Sequence, residues 1–597
     1  MSGPYGAAHD NMYPPQSSRT GLAQGTNNEK YGSGASSPLQ TGSKGGSKGR
    51  SKLWWIIGAV IAVIVVLGAV LGGVLGSRAA NKDNKSNSVS SSNDNSAGSS
   101  SNGSGGKSNT GTGTNSATSD NNGAVAGATF TTVDLPAFDF SKSKALGMCL
   151  GSWLILEKWM VPDWFNDTVN AVQPNSGPTT LDEWSFCSVL GQEKCEEALV
   201  QHFDTFVTEQ DIQTLYENGI NQLRIPTGFW AWIPTIEGEP YLNRTDIYQF
   251  YLNRVLGWAY DRGMYAILDM HGVPGSQNGE QSSGQLTKSP TFFGGDANTE
   301  TASQLRSDEM IKAVIKFVES SPYRSVITGI EPINEPRPYT PDQLVQLEKY
   351  FERSYQAIQA SSWPVATIIT NGYTNLTYWY EFAAAHATTP PSMVMVDHPY
   401  PGNFPPQNNS ADILKQVCTA AQRYLEYPIP ICIDEWSLYT GVKDQAFEKT
   451  FYEQQLVTWA WSAGGYYWSY KLQTSKQDLA NGLDYSQYSW STLLANNSAT
   501  LPKPSDYGIN GTTSDGNAAA FINALQAELT SSCGSVPDNV SPYQNGSFPV
   551  SSWTVEQNAR TSAQGMTITG TSTSLPLPTT TATARARRVK RTLPIRS

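Results

Sequence analysis

The chain has 597 residues, 39% of them hydrophobic and 15% charged, with a formal net charge of −11 and a pI near 5.1. That acidic balance argues against a nucleic-acid binder, whose affinity depends on clustered Lys and Arg. The 6 Cys include no C-x-x-C pair of the kind that builds a zinc ribbon or a thioredoxin-type site. Taken in chain order, residues 1–52 are rich in Gly, Ser, Pro and Gln and read as a disordered cytoplasmic tail. Residues 53–76, LWWIIGAVIAVIVVLGAVLGGVLG, form an uncharged run of 24. At ~1.5 Å per residue it is long enough to cross a hydrocarbon core of about 30 Å. Trp54 and Trp55 stand at one end, where amphipathic rings favour the headgroup level. Cleaved signal peptides have apolar cores of roughly 7–15 residues close to the N-terminus, so an uncleaved signal anchor is expected.

Lys44, Lys48, Arg50 and Lys52 precede this run; Arg78, Lys82 and Lys85 follow it, a slight positive-inside bias toward a cytoplasmic N-terminus. All ten N-x-[ST] sequons, from Asn84 to Asn545, and all 6 Cys lie beyond it. The expectation is a single-pass type II protein of the cell membrane with its folded part extracellular. Residues 77–123 read as a Ser/Asn/Gly-rich, glycosylated stalk and 546–597 as a Ser/Thr-rich tail ending in a solvated basic run, Arg585 to Arg591.

Residues 124–545 read as one folded unit holding most of the 17 Trp, 28 Tyr and 19 Phe. Short, nearly continuous apolar runs predict strands at 146–150, 220–226, 265–271, 326–335, 365–371, 393–400, 429–435 and 465–471. Helical patterns lie between them at 204–218, 248–262, 307–320, 341–360 and 412–425. This alternation predicts an α/β fold of the (β/α)8 TIM-barrel type with long loops. A doubly wound sheet is the alternative, but no Gly-rich phosphate turn follows the first strand.

Polar residues gather at the C-terminal ends of these strands, where such barrels carry their sites: Arg224, Asp269 with His271, Asn334 with Glu335, His398 with Tyr400, Glu435, and Trp468. Two carboxylates ending strongly apolar runs, Glu335 and Glu435, suit glycoside hydrolysis: one protonates the leaving oxygen, the other attacks the anomeric carbon or activates water. Arg224 and Tyr400 are placed to keep one Glu ionised, while the other needs a raised pKa to hold its proton. Trp468 and Trp159 offer flat apolar faces to sugar C–H groups. The chain lacks G-x-S-x-G and H-E-x-x-H, and its 5 His do not cluster with Cys. No metal or cofactor is expected.

The motif G-I-E-P-I-N-E-P at 329–336 resembles the Asn-Glu-Pro acid/base motif of clan-A glycoside hydrolases. More narrowly, the chain resembles the fungal exo-β-1,3-glucanases of glycoside hydrolase family 5. The resemblance rests on GSWLILEKW (151–159), LDEWSFC (181–187), DTFVTEQD (204–211), LRIPTGFW (223–230), LDMHGVPGSQNG (268–279) and DEWS (434–437), in order across 146–533. The anchor and stalk resemble the membrane-bound subgroup. The resemblance implies that Glu335 is the acid/base and Glu435 the nucleophile. It further implies that Asn334 binds the sugar 2-hydroxyl, that Arg224 and Tyr400 orient Glu435, and that Glu157, His271 and Trp468 line the terminal-glucose subsite, with His398 among the substrate-binding residues. It implies a Cys418–Cys533 disulfide. Cys187 and Cys195 are close enough to pair, but the sequence does not assign them.

Four departures stand out. Gly151-Ser152-Trp153 replaces the usual Gly-Gly-Trp, Glu157-Lys158 replaces Glu-Pro, and Asp434 replaces a common Gly. Glu280, Gln281 and Ser282 stand where the family has an aromatic followed by Asp-Asn; Phe292, Phe293 or Phe404 are alternative sources of that aromatic surface. The expectation is a monomeric, membrane-anchored retaining hydrolase that trims glucose from cell-wall β-1,3-glucan and binds no nucleic acid. The alternatives are the same core acting on β-1,6-glucan, on a glucosylated lipid or as a transglucosidase, and a non-catalytic glucan-binding protein.

Overall fold

The computed structural model describes residues 133–528, 533 and 534. The expected tail, span and stalk (1–123) and the C-terminal tail (546–597) lie outside the described residues. Among the described residues, no helix is long and apolar enough to cross a membrane.

Eight strands pair in parallel and in sequence order: β1 (Ala145–Cys149), β2 (Gln222–Gly228), β3 (Tyr265–Gly272), β4 (Ile327–Glu331), β5 (Ala366–Thr370), β6 (Met393–Val396), β7 (Ile431–Trp436) and β8 (Gly464–Tyr467). β8 pairs with β1 and closes the barrel. Every strand is buried along its whole length, which is why these segments read as continuous apolar runs rather than alternating ones. At the closing seam Ala145 faces Gly464. A Cβ at Gly464 would sit 2.1 Å from the Ala145 carbonyl oxygen, and its φ is +98°. Only glycine lets the two backbones meet there.

The helix expected at 204–218 is two helices. Glu183–Phe206 ends, and Glu209–Glu217 restarts behind a capping box in which Thr208 and Asp211 satisfy each other's backbone amides. Helices Pro162–Val172, Gln445–Trp459 and Ala518–Glu528 were not among the predicted ones.

Cys418 and Cys533 are joined, as the resemblance implied, and Cys187 pairs with Cys195; Cys149 and Cys432 are buried free thiols. The Cys418–Cys533 bridge spans 115 residues of sequence and ties helix Ser410–Tyr424 to the chain beyond the last helix. Closing so long a loop restricts the unfolded chain. Cys533→Ser is therefore expected to cost about 2–5 kcal/mol, read as a lower urea midpoint at unchanged slope.

Candidate active site

Several strands end earlier than expected, and those endings shape the site. β4 stops at Glu331, because Pro332 has no N–H to continue the ladder. Asn334 and Glu335 therefore lie in a turn beyond the strand. The Asn334 amide donates to the Met270 carbonyl at 3.1 Å, while Gln277 Nε2 and Asn278 Nδ2 donate to the Asn334 and Glu335 carbonyls at 2.8 and 3.1 Å. The loop after β3 thus grips the turn that carries Glu335, whose φ of +45° needs such support. β6 likewise ends at Val396, and the prolines at 399 and 401 bracket Tyr400, held at φ +36°. Arg224 is not at a strand end. It is the third residue of β2 and lies fully buried in the barrel.

Arg224 is the hub of the interior. Its Nε lies 2.9 Å from Glu331 and 3.3 Å from Asp434, Nη2 3.0 Å from Asp269, and Nη1 2.8 Å from Glu435 Oε1. Nη2 also donates to Asn334 Oδ1 at 2.8 Å. Only a planar fork with five donors can serve so many acceptors. Burial drives the Glu331 carboxyl well above the usual range despite Arg224, and this relieves part of the acidic excess. Arg224→Lys keeps one charge but loses the fork, leaving buried carboxylates without donors. The expected cost is about 3–5 kcal/mol in chemical unfolding.

Both oxygens of Glu435 accept, Oε1 from Arg224 and Oε2 from the Tyr400 hydroxyl at 2.8 Å. This is the pattern of an ionised carboxylate. Burial and the nearby Glu335 push its pKa upward against His398 and Arg224. Glu335 Oε1 lies 2.7 Å from His398 Nδ1, and the Tyr373 hydroxyl also bonds this carboxylate. Burial favours the protonated form of Glu335, but His398, Tyr373 and Arg337 outweigh it and hold the pKa low. One oxygen of each Glu and a ring nitrogen of His398 lie within 4.8 Å of one another. A cation would suit that spacing only by breaking the contacts just described. The sequence expected a raised pKa at one carboxyl of the pair, assigned by resemblance to Glu335; the structure instead holds Glu335 low.

Glu157, His271, Asn334 and Trp468 form the other wall. His271 stacks on Trp468 with centroids 5.3 Å apart, and its Nδ1 lies 2.8 Å from Asp269. Its Nε2 faces Asn334 Nδ2 at 3.4 Å and Glu157 Oε1 at 3.7 Å. Trp159 Nε1 donates to Glu157 Oε2 at 2.9 Å, while Oε1 is buried without a hydrogen-bond partner. Burial first, eased by His271, pushes Glu157 up to about 7. Ser152 tolerates φ +56° where the resembled family has glycine; its Oγ accepts the Glu157 amide at 3.1 Å. Lys158 turns away to the Gly177 and Thr180 carbonyls.

The altered loop folds as a short turn over Gln281–Ser283. Glu280 pairs with Arg337 at 3.0 Å, and Arg337 lies over the Tyr373 ring at 4.7 Å. Phe292 and Phe293 pack into the core and supply no open aromatic face; Phe404 packs edge-on against Tyr400. Trp159 instead meets Tyr488 edge-on with centroids 5.2 Å apart, and Tyr488 stacks on Tyr439 at 4.8 Å. Sequence reasoning missed Tyr373, Arg337 and Glu331 as members of the site. The signal for Tyr373 was Asn-Gly-Tyr directly after a strand, with Gly372 and Tyr373 both at positive φ; Glu331 sat inside the quoted motif but looked like strand.

Residues 187–471 match the family Cellulase (glycosyl hydrolase family 5). The chain is similar to "Glucan 1,3-beta-glucosidase 1" of Schizosaccharomyces pombe, 34% identical over 51% of this chain and 70% of that protein. It is also 34% identical to "Probable glucan 1,3-beta-glucosidase A" of Aspergillus terreus, over 44% of this chain and 57% of that one. Among solved structures, rutinosidase from Aspergillus niger aligns with a TM-score of 0.49 and 23% identity, covering 57% of this chain and 93% of that one. With the identity to the Schizosaccharomyces pombe protein spread over more than two thirds of that relative, the chain belongs to glycosyl hydrolase family 5 and is a glycosyl hydrolase.

Proposed function

We propose that the protein is a retaining exo-β-glucosidase that releases glucose from the non-reducing ends of cell-wall β-1,3-glucan. One observation carries the mechanism: carboxylate oxygens of Glu335 and Glu435 lie within 4.8 Å of each other. Retention is associated with carboxyl groups about 5–5.5 Å apart, and inversion with a wider gap that admits water. Glu435, held by Arg224 and Tyr400, attacks the anomeric carbon, and the bond to the leaving oxygen breaks as Glu335 passes it a proton. Water, deprotonated by Glu335, then displaces Glu435 from the glucosyl ester. Asn334 Nδ2 meets the 2-hydroxyl, its orientation fixed because Oδ1 is committed to Arg224. Glu157 Oε1 accepts a hydroxyl of the same sugar, with Trp468 beneath its apolar face.

The β-1,3 linkage rests on the names of the relatives, and the anchored topology on the uncharged run at 53–76. A linkage panel on the full chain tests the substrate. Release of glucose from laminarin should exceed release from β-1,6-glucan, cellodextrins and glucosylceramide by at least about tenfold in kcat/KM. Preference for any of the others would overturn the linkage and leave the chemistry standing.

A further inference from the structure

Asp434 is fully buried, immediately precedes Glu435 on β7, and has no part in the mechanism above. Its Oδ1 lies 2.7 Å from His398 Nε2, on the side of the ring opposite Glu335, whose Oε1 lies 2.7 Å from Nδ1. Acceptor oxygens therefore flank both ring nitrogens at charge-assisted distances. A nitrogen lone pair would repel an ionised carboxylate oxygen, so facing two carboxylates both nitrogens carry hydrogen. The Asp434 contact is off the hydrogen-bond line and acts as an ion pair.

We propose that Asp434 is a positioning residue that keeps His398 protonated on both sides, so that the Glu335–His398 pair, rather than Glu335 alone, stores the proton required by the leaving oxygen. The inference rests on the acid/base role given to Glu335 above. In the first half-reaction the Nδ1 proton passes to Glu335 as Glu335 protonates the leaving oxygen, and the imidazole becomes neutral, keeping its Nε2 hydrogen on the side of Asp434. In the second, the proton taken from water returns to the pair. One water is consumed, and the pair ends with the proton it began with.

The acidic groups facing His398 all favour its cation. From β7 come Asp434 and Glu435, the latter with Oε2 at 3.6 Å from Nδ1. From beyond β4 comes Glu335, with Arg337 behind it, and from beyond β5 comes Tyr373. Arg224 pairs with the other oxygens of these two groups, Asp434 Oδ2 at 3.3 Å and Glu435 Oε1 at 2.8 Å. On the same segment, Tyr400 bonds Glu435, and Asp397 accepts the His398 backbone amide at 3.0 Å while tied to Asn371 and Tyr424. Burial disfavours the imidazolium, but Glu435, Asp434 and Glu335 outweigh it and hold its pKa well above the usual value.

Removing the Asp434 charge lowers the proton affinity of the pair, so the loss of activity on the alkaline side should begin at lower pH. The chain has 5 His, and ¹⁵N-histidine labelling of the full chain with a His398→Gln control identifies the ring. In the wild type, both His398 nitrogens should be protonated at pH 7; in Asp434→Asn, the ring should titrate at least about one unit lower. The alkaline limb of kcat/KM on a β-1,3-gluco-oligosaccharide should fall by a similar amount. With 2,4-dinitrophenyl β-glucoside, whose leaving group needs no proton, that limb should hardly move. Asp434→Gly, the residue common here in the resembled family, replaces Asp434→Asn if thermal melting shows the latter unfolded. A neutral His398 ring in the wild type at pH 7, or unshifted titration in a folded variant, would overturn the inference. Wild-type protein that hydrolyses neither substrate would overturn the glucosidase reading instead. The two failures are distinguishable because the ring titration is read without substrate.

Discussion

Glu435→Gln should lose at least about 10⁴-fold in kcat on β-1,3-glucan, roughly 5 kcal/mol of transition-state stabilisation, while keeping its fold. The amide has the shape of the carboxylate but cannot form the glucosyl ester. The amide NH2 would face Arg224 Nη1 where Oε1 now accepts, a loss of about 1–3 kcal/mol that the fold should survive because the guanidinium retains Asp269, Glu331 and Asp434 as partners. The Tyr400 hydroxyl, now 2.8 Å from Glu435 Oε2, can donate to the amide oxygen. The neutral amide also removes one negative charge from an interior crowded with carboxylates. Activity and a thermal melt on the same preparation separate chemistry from folding. A folded Glu435→Gln protein with wild-type-like turnover would end the assignment of Glu435.

Glu335→Gln should show a loss that depends on the leaving group. On glucan, where the departing alkoxide must be protonated, a fall of roughly 10²–10⁴-fold is expected. On 2,4-dinitrophenyl β-glucoside the first step should proceed near its normal rate, and the glucosyl-enzyme should then accumulate because no base activates water. A burst of dinitrophenolate equal to the enzyme concentration would report this. Azide attacks without deprotonation, and should restore turnover and yield the β-glucosyl azide. Equal losses on both substrates in the burst phase would remove Glu335 from the acid/base role and leave it as a partner of His398 alone.

The barrel was legible because its strands are buried on both faces, so that segments such as Tyr265–Gly272 and Ile431–Trp436 open as apolar runs and turn polar only toward their C-terminal ends. Their ends were less legible where proline intervenes. Glu335 and His398 read as strand-terminal, yet both sit in irregular backbone beyond Glu331 and Val396, held by contacts from other segments. The helix restart at Thr208 was hidden because a capping box competes with an apolar period that runs straight through it. Within the site, Arg224, Tyr400 and Glu435 were placed together by motif, and the structure joins them at 2.8 Å. What sequence did not reveal is pairing across loops. Tyr373 reaches Glu335 from beyond β5, and the substituted Glu280 is bound through Arg337 to the same cluster. Asp434 looked like an isolated departure, and its meaning appears only when His398, 36 positions earlier in number, is found 2.7 Å away.

The most direct test follows laminarin hydrolysis by the full-length protein with time-resolved proton NMR. A retaining exo-glucosidase releases β-glucose first, and the α anomer grows in later at the rate of mutarotation. Initial release of α-glucose would mean inversion, and would contradict the double displacement built on the close Glu335–Glu435 pair. Oligosaccharides appearing without glucose would contradict attack at the chain end.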